Sequence, residues 1–307
     1  MKQPFLSFPA FKIHVRALRL PFTAASVLPF LAGLHVAGGC LCSVSGILAL
    51  LAVVSTHLSC NLINDYGDSR SGVDWKDTTY FDGIFGGSKL IQAGVLPEHR
   101  YFQLAVGFAL LSLACGVATG FLIDSLLFPI GCITALLLGW AYSMPPAALA
   151  YRRWGEPVIF LLFGPAPVFA GWLVTTGSIP SPAAVLVAVP FGLMTAAILV
   201  ANEIPDHPQD SDSGKDNWVG WVGVRHAHRL YSILMLAAVA FILVGWLVGV
   251  MSELVLVAVL IMLVATLRAA MIMMHSTHSK KRLIIASKIT ILAQLFAGLF
   301  IVLGVAS

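Results

Sequence analysis

The chain has 307 residues, of which 59% are hydrophobic and only 10% carry a formal charge; its mean hydropathy is +0.92. A soluble domain carries about 25% charged residues, so a soluble globular fold is excluded, and the apolar runs follow one another with no polar domain between them. The net charge of +4 reflects where cations sit relative to a membrane and gives nucleic-acid binding no support.

Nine apolar segments, each near the ~20 residues needed to span a bilayer, are predicted at 21–37, 44–62, 102–122, 126–142, 157–176, 182–201, 230–249, 252–272 and 284–305. The first lacks a small-residue cleavage pattern and is not read as a removable signal peptide. With the N-terminus inside, the inner parts are 1–20, 63–101, 143–156, 202–229 and 273–283, and they hold 16 of the 18 Lys and Arg residues. The short connections on the other side hold none, which is the positive-inside asymmetry. The expected fold is therefore all-α: a single polytopic membrane domain over 1–307, N-in and C-out, with nine helices around a central cavity that faces the cytoplasm. The expected location is the cytoplasmic (inner) membrane, in contact with its lipids. Oligomeric state is not legible.

Five cysteines (Cys40, Cys42, Cys60, Cys115, Cys132) form no CxxC pair, and nine histidines form no HExxH. Redox and zinc chemistry therefore have no sequence signal.

The informative residues lie in two inner connections. After the second segment comes Asn61-Leu-Ile-Asn64-Asp65-Tyr-Gly-Asp68-Ser-Arg-Ser-Gly-Val-Asp74, and after the sixth comes Asn202-Glu203-Ile-Pro-Asp206-His-Pro-Gln-Asp210-Ser-Asp212. Each is costly beside hydrocarbon, at roughly 2.5–3.5 kcal/mol per Asp at a helix centre. Asn64-Asp65-x-x-Asp68 lines up with Asn202-Glu203-x-x-Asp206 four segments later. This suggests a weak parallel repeat, about 21–142 and 157–272, followed by a ninth helix. If the second helix continues, Asn61, Asp65 and Asp68 share a face; Gly67 and Gly72 would then let the chain open so that Asp74 turns back. Pro205 and Pro208 predict a broken helix end in the second motif. An EF-hand over Asp210-Ser-Asp212 fails, because its twelfth position is Trp221.

Asn and carboxylate oxygens suit a hard cation such as Mg²⁺, which is commonly held by one or two carboxylates plus substrate phosphate. The same face carries Lys89, Arg152 and Lys215 as candidate anion ligands. Metal and cations together make a site for a diphosphate, whose departure they would assist. A bland alternative is a pair of polar loops, and an organic-anion transporter is a rival of another class; the latter would place ionisable groups at mid-membrane depth.

These residues resemble the UbiA superfamily of intramembrane prenyltransferases. Asn64-x-x-x-Asp68 matches the start of its first motif, and Asp206-x-x-x-Asp210 matches its second. Gly72 stands where a third acidic residue is usual, with Asp74 beyond it, as in the branch that prenylates 1,4-dihydroxy-2-naphthoate. Arg19-Leu-Pro-Phe, Gly86-Gly87-Ser88-Lys89 and Tyr142-x-x-Pro145-Pro146 through Tyr151-Arg152 to Gly155-Glu156 are similar to other stretches of that branch. Arg153, Trp154 and Asp216-Asn217-Trp218 depart from it.

The resemblance implies nine helices and Mg²⁺-dependent transfer of a polyprenyl group from its diphosphate to an aromatic acceptor. The branch implies dihydroxynaphthoate, for menaquinone biosynthesis, with 4-hydroxybenzoate, homogentisate or a lipid as other acceptors. It implies Asn64, Asp68, Asp74, Asn202, Asp206 and Asp210 as metal ligands. Asp65, Asp68 and Asp206 are the expected catalytic residues. Lys89, Arg152, Lys215, Tyr142 and Asn61 are expected against diphosphate or acceptor, and Glu203 is a further candidate to steer the acceptor's proton.

Overall fold

In the computed structural model of the chain, which describes residues 10–76, 87–277 and 279–306, the described residues form helices and turns with no β-strand. Helix α1 (Ala10–Leu18) leads through a 3₁₀ turn (Leu20–Thr23) into α2 (Ala24–Val36), followed by α3 (Val44–Ser71) and the one-turn α4 (Val73–Lys76). Then come α5 (Glu98–Leu122), α6 (Leu127–Ser143), α7 (Gly155–Phe163), α8 (Pro165–Thr176) and α9 (Pro182–Asp212). The short α10 (Trp218–Val222) precedes α11 (Ala227–Leu247), α12 (Val255–His275) and α13 (Lys280–Ala306). Gly86 of the predicted glycine-rich stretch lies outside the described residues.

Among the described residues, eight helical stretches are long and apolar enough to cross a membrane, and α6, at 17 residues, falls short of that length. The predicted fifth segment is broken at Gly164, because Pro165 lacks the N–H that would continue α7 and instead starts α8. Large apolar side chains on the outside, such as Phe121 (83% exposed) and Leu126 (78%), have no place in water and mark a lipid-facing surface.

Helix α9 is the axis of the bundle: 61% of its apolar stretch is buried, against 33% for α5 and for α12. Its Phe191, Met194 and Val200 pack with Met235 of α11, Met262 of α12 and Ala297 of α13 in one continuous core. Small residues set the closest crossing, between α2 and α8. A Cβ on Gly33 would lie 1.9 Å from the Val168 carbonyl oxygen, and one on Gly171 would lie 2.1 Å from that of Phe30. Only glycine permits this approach, the usual device where lipid gives helices no hydrophobic reason to associate.

Both acidic motifs ride on longer helices than the sequence suggests. Helix α3 runs unbroken through Asn61, Asn64, Asp65 and Asp68. Gly67 is a packing residue within it, against Ser143, and opens nothing; only Gly72, at φ 83°, ends the helix in the left-handed region. Helix α9 is also continuous to Asp212, through Pro205 and Pro208. The predicted break at the prolines is thus corrected, and the reason is visible. Pro205 leaves the Ala201 carbonyl without its intrahelical donor, and Ser287 Oγ of α13 donates to that carbonyl at 3.0 Å.

Ser287→Ala should therefore leave a buried carbonyl unpaired and destabilise the protein by ~1–2 kcal/mol. Thermal unfolding in detergent should show this loss, and the loss should shrink in a Pro205→Ala background, where the backbone donor returns.

Candidate active site

The extra turns of α3 and α9 carry their polar residues into one pocket at a common end of the bundle. It has a volume of about 790 Å³ including its open mouth, and is lined from α3 by Asn64 and Asp68 and from α9 by Leu199, Asn202, Glu203, Asp206, Gln209 and Asp210. Asp74, Gly87, Lys89, Tyr142, Lys215, Arg19 and Ala150 complete the lining. The two acidic segments, which are 138 residues apart at Asn64 and Asn202, thus face each other across one space.

The carboxylates are individually tethered. Asn64 Nδ2 donates to Asp68 Oδ2 at 3.2 Å and to Ser143 Oγ at 2.6 Å, which orients both motif residues. Tyr151 OH donates to Asp68 Oδ1 at 3.3 Å. Lys89 Nζ lies 2.6 Å from Asp74 Oδ1, Lys215 Nζ 3.5 Å from Asp210 Oδ1, and Lys280 Nζ 3.5 Å from Asp206 Oδ1. Arg19 Nη1 lies 3.6 Å from Asp65 Oδ1. Arg19 (φ 52°) and Lys89 (φ 55°) both hold left-handed backbone, an uncommon state for residues with a side chain and one that gathers at functional sites.

Charge crowding is evident just outside the membrane-spanning helices. Burial, and then the nearby Asp68 carboxylate, push the Asp74 carboxyl up to about 7, against the pull of Lys89. Burial opposes the charge on Lys215, but Asp210, Tyr142, Asp68 and Glu203 outweigh it and hold its ammonium well above the usual lysine range.

The donor set fits a hard divalent cation. Asn202 Oδ1 and Gln209 Oε1 are buried and accept no hydrogen bond from the described residues, although buried acceptors are normally paired. With Asp68 and Asp206 they form an all-oxygen lining. Among the described residues, no three His, Cys, Asp or Glu side chains are placed to hold an ion by themselves. One or two protein carboxylates per ion, with phosphate and water completing the shell, is the arrangement this geometry allows.

Of the sequence-predicted residues, Asn64, Asp68, Asp74, Asn202, Asp206, Asp210, Lys89, Lys215 and Tyr142 all line the pocket. Three do not. Asp65 is buried behind Gly87, accepting from the Ser88 backbone N–H at 3.0 Å and facing Arg19, so it braces the wall. Gly87 has φ 81°, and a Cβ there would meet Asp65 Oδ1 at 3.0 Å. Asn61 lies one turn deeper on α3, its Nδ2 buried and unpartnered. Arg152 is exposed and donates to the Pro146 carbonyl at 3.0 Å, away from the cavity.

Other participants escape sequence reading. Arg19 lines the pocket although it precedes the apolar segment predicted at 21–37. Glu156, at the start of α7, accepts the Trp218 backbone N–H at 2.6 Å, while Asn217 Nδ2 donates to Asp210 Oδ2 at 3.0 Å. Arg153 binds the Asp216 carboxylate at 2.8 Å and the Asp216 carbonyl at 2.7 Å. Two stretches that looked atypical one by one, Arg153-Trp154 and Asp216-Trp218, therefore meet in space. Together with Tyr151 on Asp68, they make the α6–α7 connection a tie between the ends of α3 and α9.

A model of the UbiA prenyltransferase family matches residues 26–292. Over 191 residues the chain is 27% identical to 1,4-dihydroxy-2-naphthoate octaprenyltransferase of Mycobacterium leprae, covering 62% of each chain. Over 236 residues it is 29% identical to UbiA prenyltransferase domain-containing protein 1 of Xenopus tropicalis, covering 72% of this chain and 63% of that protein. The matches thus span a little under two thirds of these relatives' own lengths. In fold, the chain is similar to a UbiA homolog from Archaeoglobus fulgidus whose structure was solved bound to DMAPP and Mg²⁺, with a TM-score of 0.64 at 19% identity, covering 92% of this chain and 98% of that one. With a family match over most of its length and two acidic helices meeting in one pocket, the chain belongs to the UbiA prenyltransferase family.

Proposed function

We propose that the chain transfers a polyprenyl group from prenyl diphosphate to an aromatic acceptor, with 1,4-dihydroxy-2-naphthoate as the acceptor and Mg²⁺ as the required cation. The reading rests on one observation: the acidic ends of α3 and α9 line a single pocket that also contains Arg19, Lys89 and Lys215. Carboxylates alone would repel a diphosphate, and cations alone would not recruit metal; their interleaving suits a metal–diphosphate pair. The naphthoate acceptor is supported by the names of relatives such as the Mycobacterium leprae protein and by Asp74, which stands in the pocket in place of the usual third acidic position.

Asn64, Asp68, Asp74, Asn202, Asp206 and Asp210 would hold Mg²⁺, whose charge, when bound, offsets that of the departing diphosphate. Lys89 and Lys215 bind phosphate oxygens and stabilise the negative charge that grows as the allylic C–O bond breaks. The acceptor ring forms the new carbon–carbon bond, and its carboxylate leaves as CO₂, which restores the aromatic ring. Tyr142 and Glu203 also line the pocket and would steer the acceptor's phenolic hydrogen.

An apolar cleft of about 440 Å³, lined by Phe22, Leu28, Phe191, Ile198 and Leu295, supports the reading for the tail. Its Ile198 is the neighbour on α9 of Leu199, which lines the polar pocket. Such a cleft holds a prenyl chain away from water and shields the cation from hydrolysis. Given the placement of loop cations, the pocket opens to the cytoplasm from the inner membrane.

Asp68→Ala and Asp206→Ala should each lower prenyl transfer by ~100-fold or more while leaving membrane insertion intact, measured with labelled prenyl diphosphate and dihydroxynaphthoate. Wild-type turnover by either variant would refute these roles.

Chelation by EDTA should abolish both product formation and binding of the prenyl diphosphate, and excess Mg²⁺ should restore both. Activity that survives exhaustive chelation would sink the metal-dependent reading.

A further inference from the structure

The connection between α12 and α13 takes no part in either acidic motif, yet it delivers a cation to the second one. Lys280, the first residue of α13, lies with Nζ 3.5 Å from Asp206 Oδ1 and is 24% exposed. This pairing is built into the helix register. Lys280, Ser287 and Gln294 follow at seven-residue intervals, so they form one stripe along α13. Gln294 Nε2 donates to Thr195 Oγ1 of α9, Ser287 Oγ donates to the Ala201 carbonyl, and Lys280 meets Asp206. The two helices therefore run antiparallel in a fixed register, and two buried contacts aim the third at the pocket rim.

A second observation concerns charge. Lys280, Lys281 and Arg282 occupy the first turn of α13, which has no acidic residue. The positive end of a helix dipole disfavours cations there, and such breaches of local preference gather at functional sites. An anion of high charge beside this turn would remove the conflict.

We propose that Lys280 is a diphosphate-binding residue of the pocket, supplied by the α12–α13 connection and presented from the Asp206 side. The other cations come from the segment before α2 (Arg19), the α4–α5 connection (Lys89) and the α9–α10 connection (Lys215). Lys280 would add one more at the rim, beside Asp206. The assignment rests on the prenyl-diphosphate reading above.

The test is equilibrium binding of farnesyl S-thiolodiphosphate with Mg²⁺ to the purified full chain, with the melting temperature recorded for each variant. Lys280→Gln should weaken binding about tenfold, the worth of one partly solvated charge-assisted contact, and Lys280→Met should do the same. Lys280→Arg should stay within about threefold of wild type, and Lys281→Gln, its exposed neighbour, within about twofold. In turnover, KM for the prenyl diphosphate should rise while KM for the acceptor stays unchanged. A purely structural staple between α13 and α9 would lower the melting temperature and leave the binding constant alone. Wild-type affinity in folded Lys280→Gln and Lys280→Met overturns the assignment. If the wild-type chain itself shows no Mg²⁺-dependent binding of the thiolodiphosphate, the prenyl-diphosphate reading falls first and takes this assignment with it.

Discussion

Carboxylates held close together at the edge of hydrocarbon are the constraint on which this molecule turns. Desolvation raises the cost of each charge, and each neighbour of the same sign raises it further. The chain meets that cost locally. Asp65, Asp74, Asp206 and Asp210 each face a cation that comes from a different part of the chain. Asp68 instead accepts hydrogen bonds from Asn64 and Tyr151, and it has no Lys or Arg at ion-pair distance among the described residues. Cation pairing and neutral hydrogen bonding thus divide the cluster, and the site is a balanced polar island in an apolar bundle.

The bundle is organised to present that island. Helix α9 is buried on most sides because it must carry polar groups at one end while its apolar body anchors α11, α12 and α13. Its interior prolines would normally free carbonyls inside the membrane. Ser287 takes up one of these, so the helix stays continuous long enough to place Asn202, Asp206 and Asp210 on successive turns. The same polar stripe on α13 that repairs α9 also fixes the register of the two helices.

Much of this was legible in the sequence. The membrane class, the apolar segments and the convergence of two acidic motifs follow from hydropathy, the placement of Lys and Arg, and the recurrence of Asn-x-x-x-Asp spacing. The continuity of α9 was not, because local proline rules say nothing of a donor 86 residues away in sequence. Asp65 and Asp68 looked equivalent as carboxylates on one helix; one helical turn of difference sends the first behind the wall and the second into the cavity. Arg152 looked suited to the site because it lies on the same inner face as the two acidic motifs, yet after the 3₁₀ turn at Leu149–Tyr151 it is exposed and bonded to the Pro146 carbonyl. Arg19 was missed for the opposite reason: only its left-handed backbone brings it back over the pocket.

The connection that joins α6 to α7 has a mechanical meaning. Tyr151 grips the end of α3 through Ser71 (2.8 Å) and Asp68, while Arg153 and Glu156 grip the segment that follows α9. A single short stretch of backbone therefore gauges the gap between the two acidic helices, as a spacer sets the jaws of a vice. Lengthening or shortening that stretch in a relative would change how wide a headgroup the jaws admit while leaving the reacting groups themselves untouched.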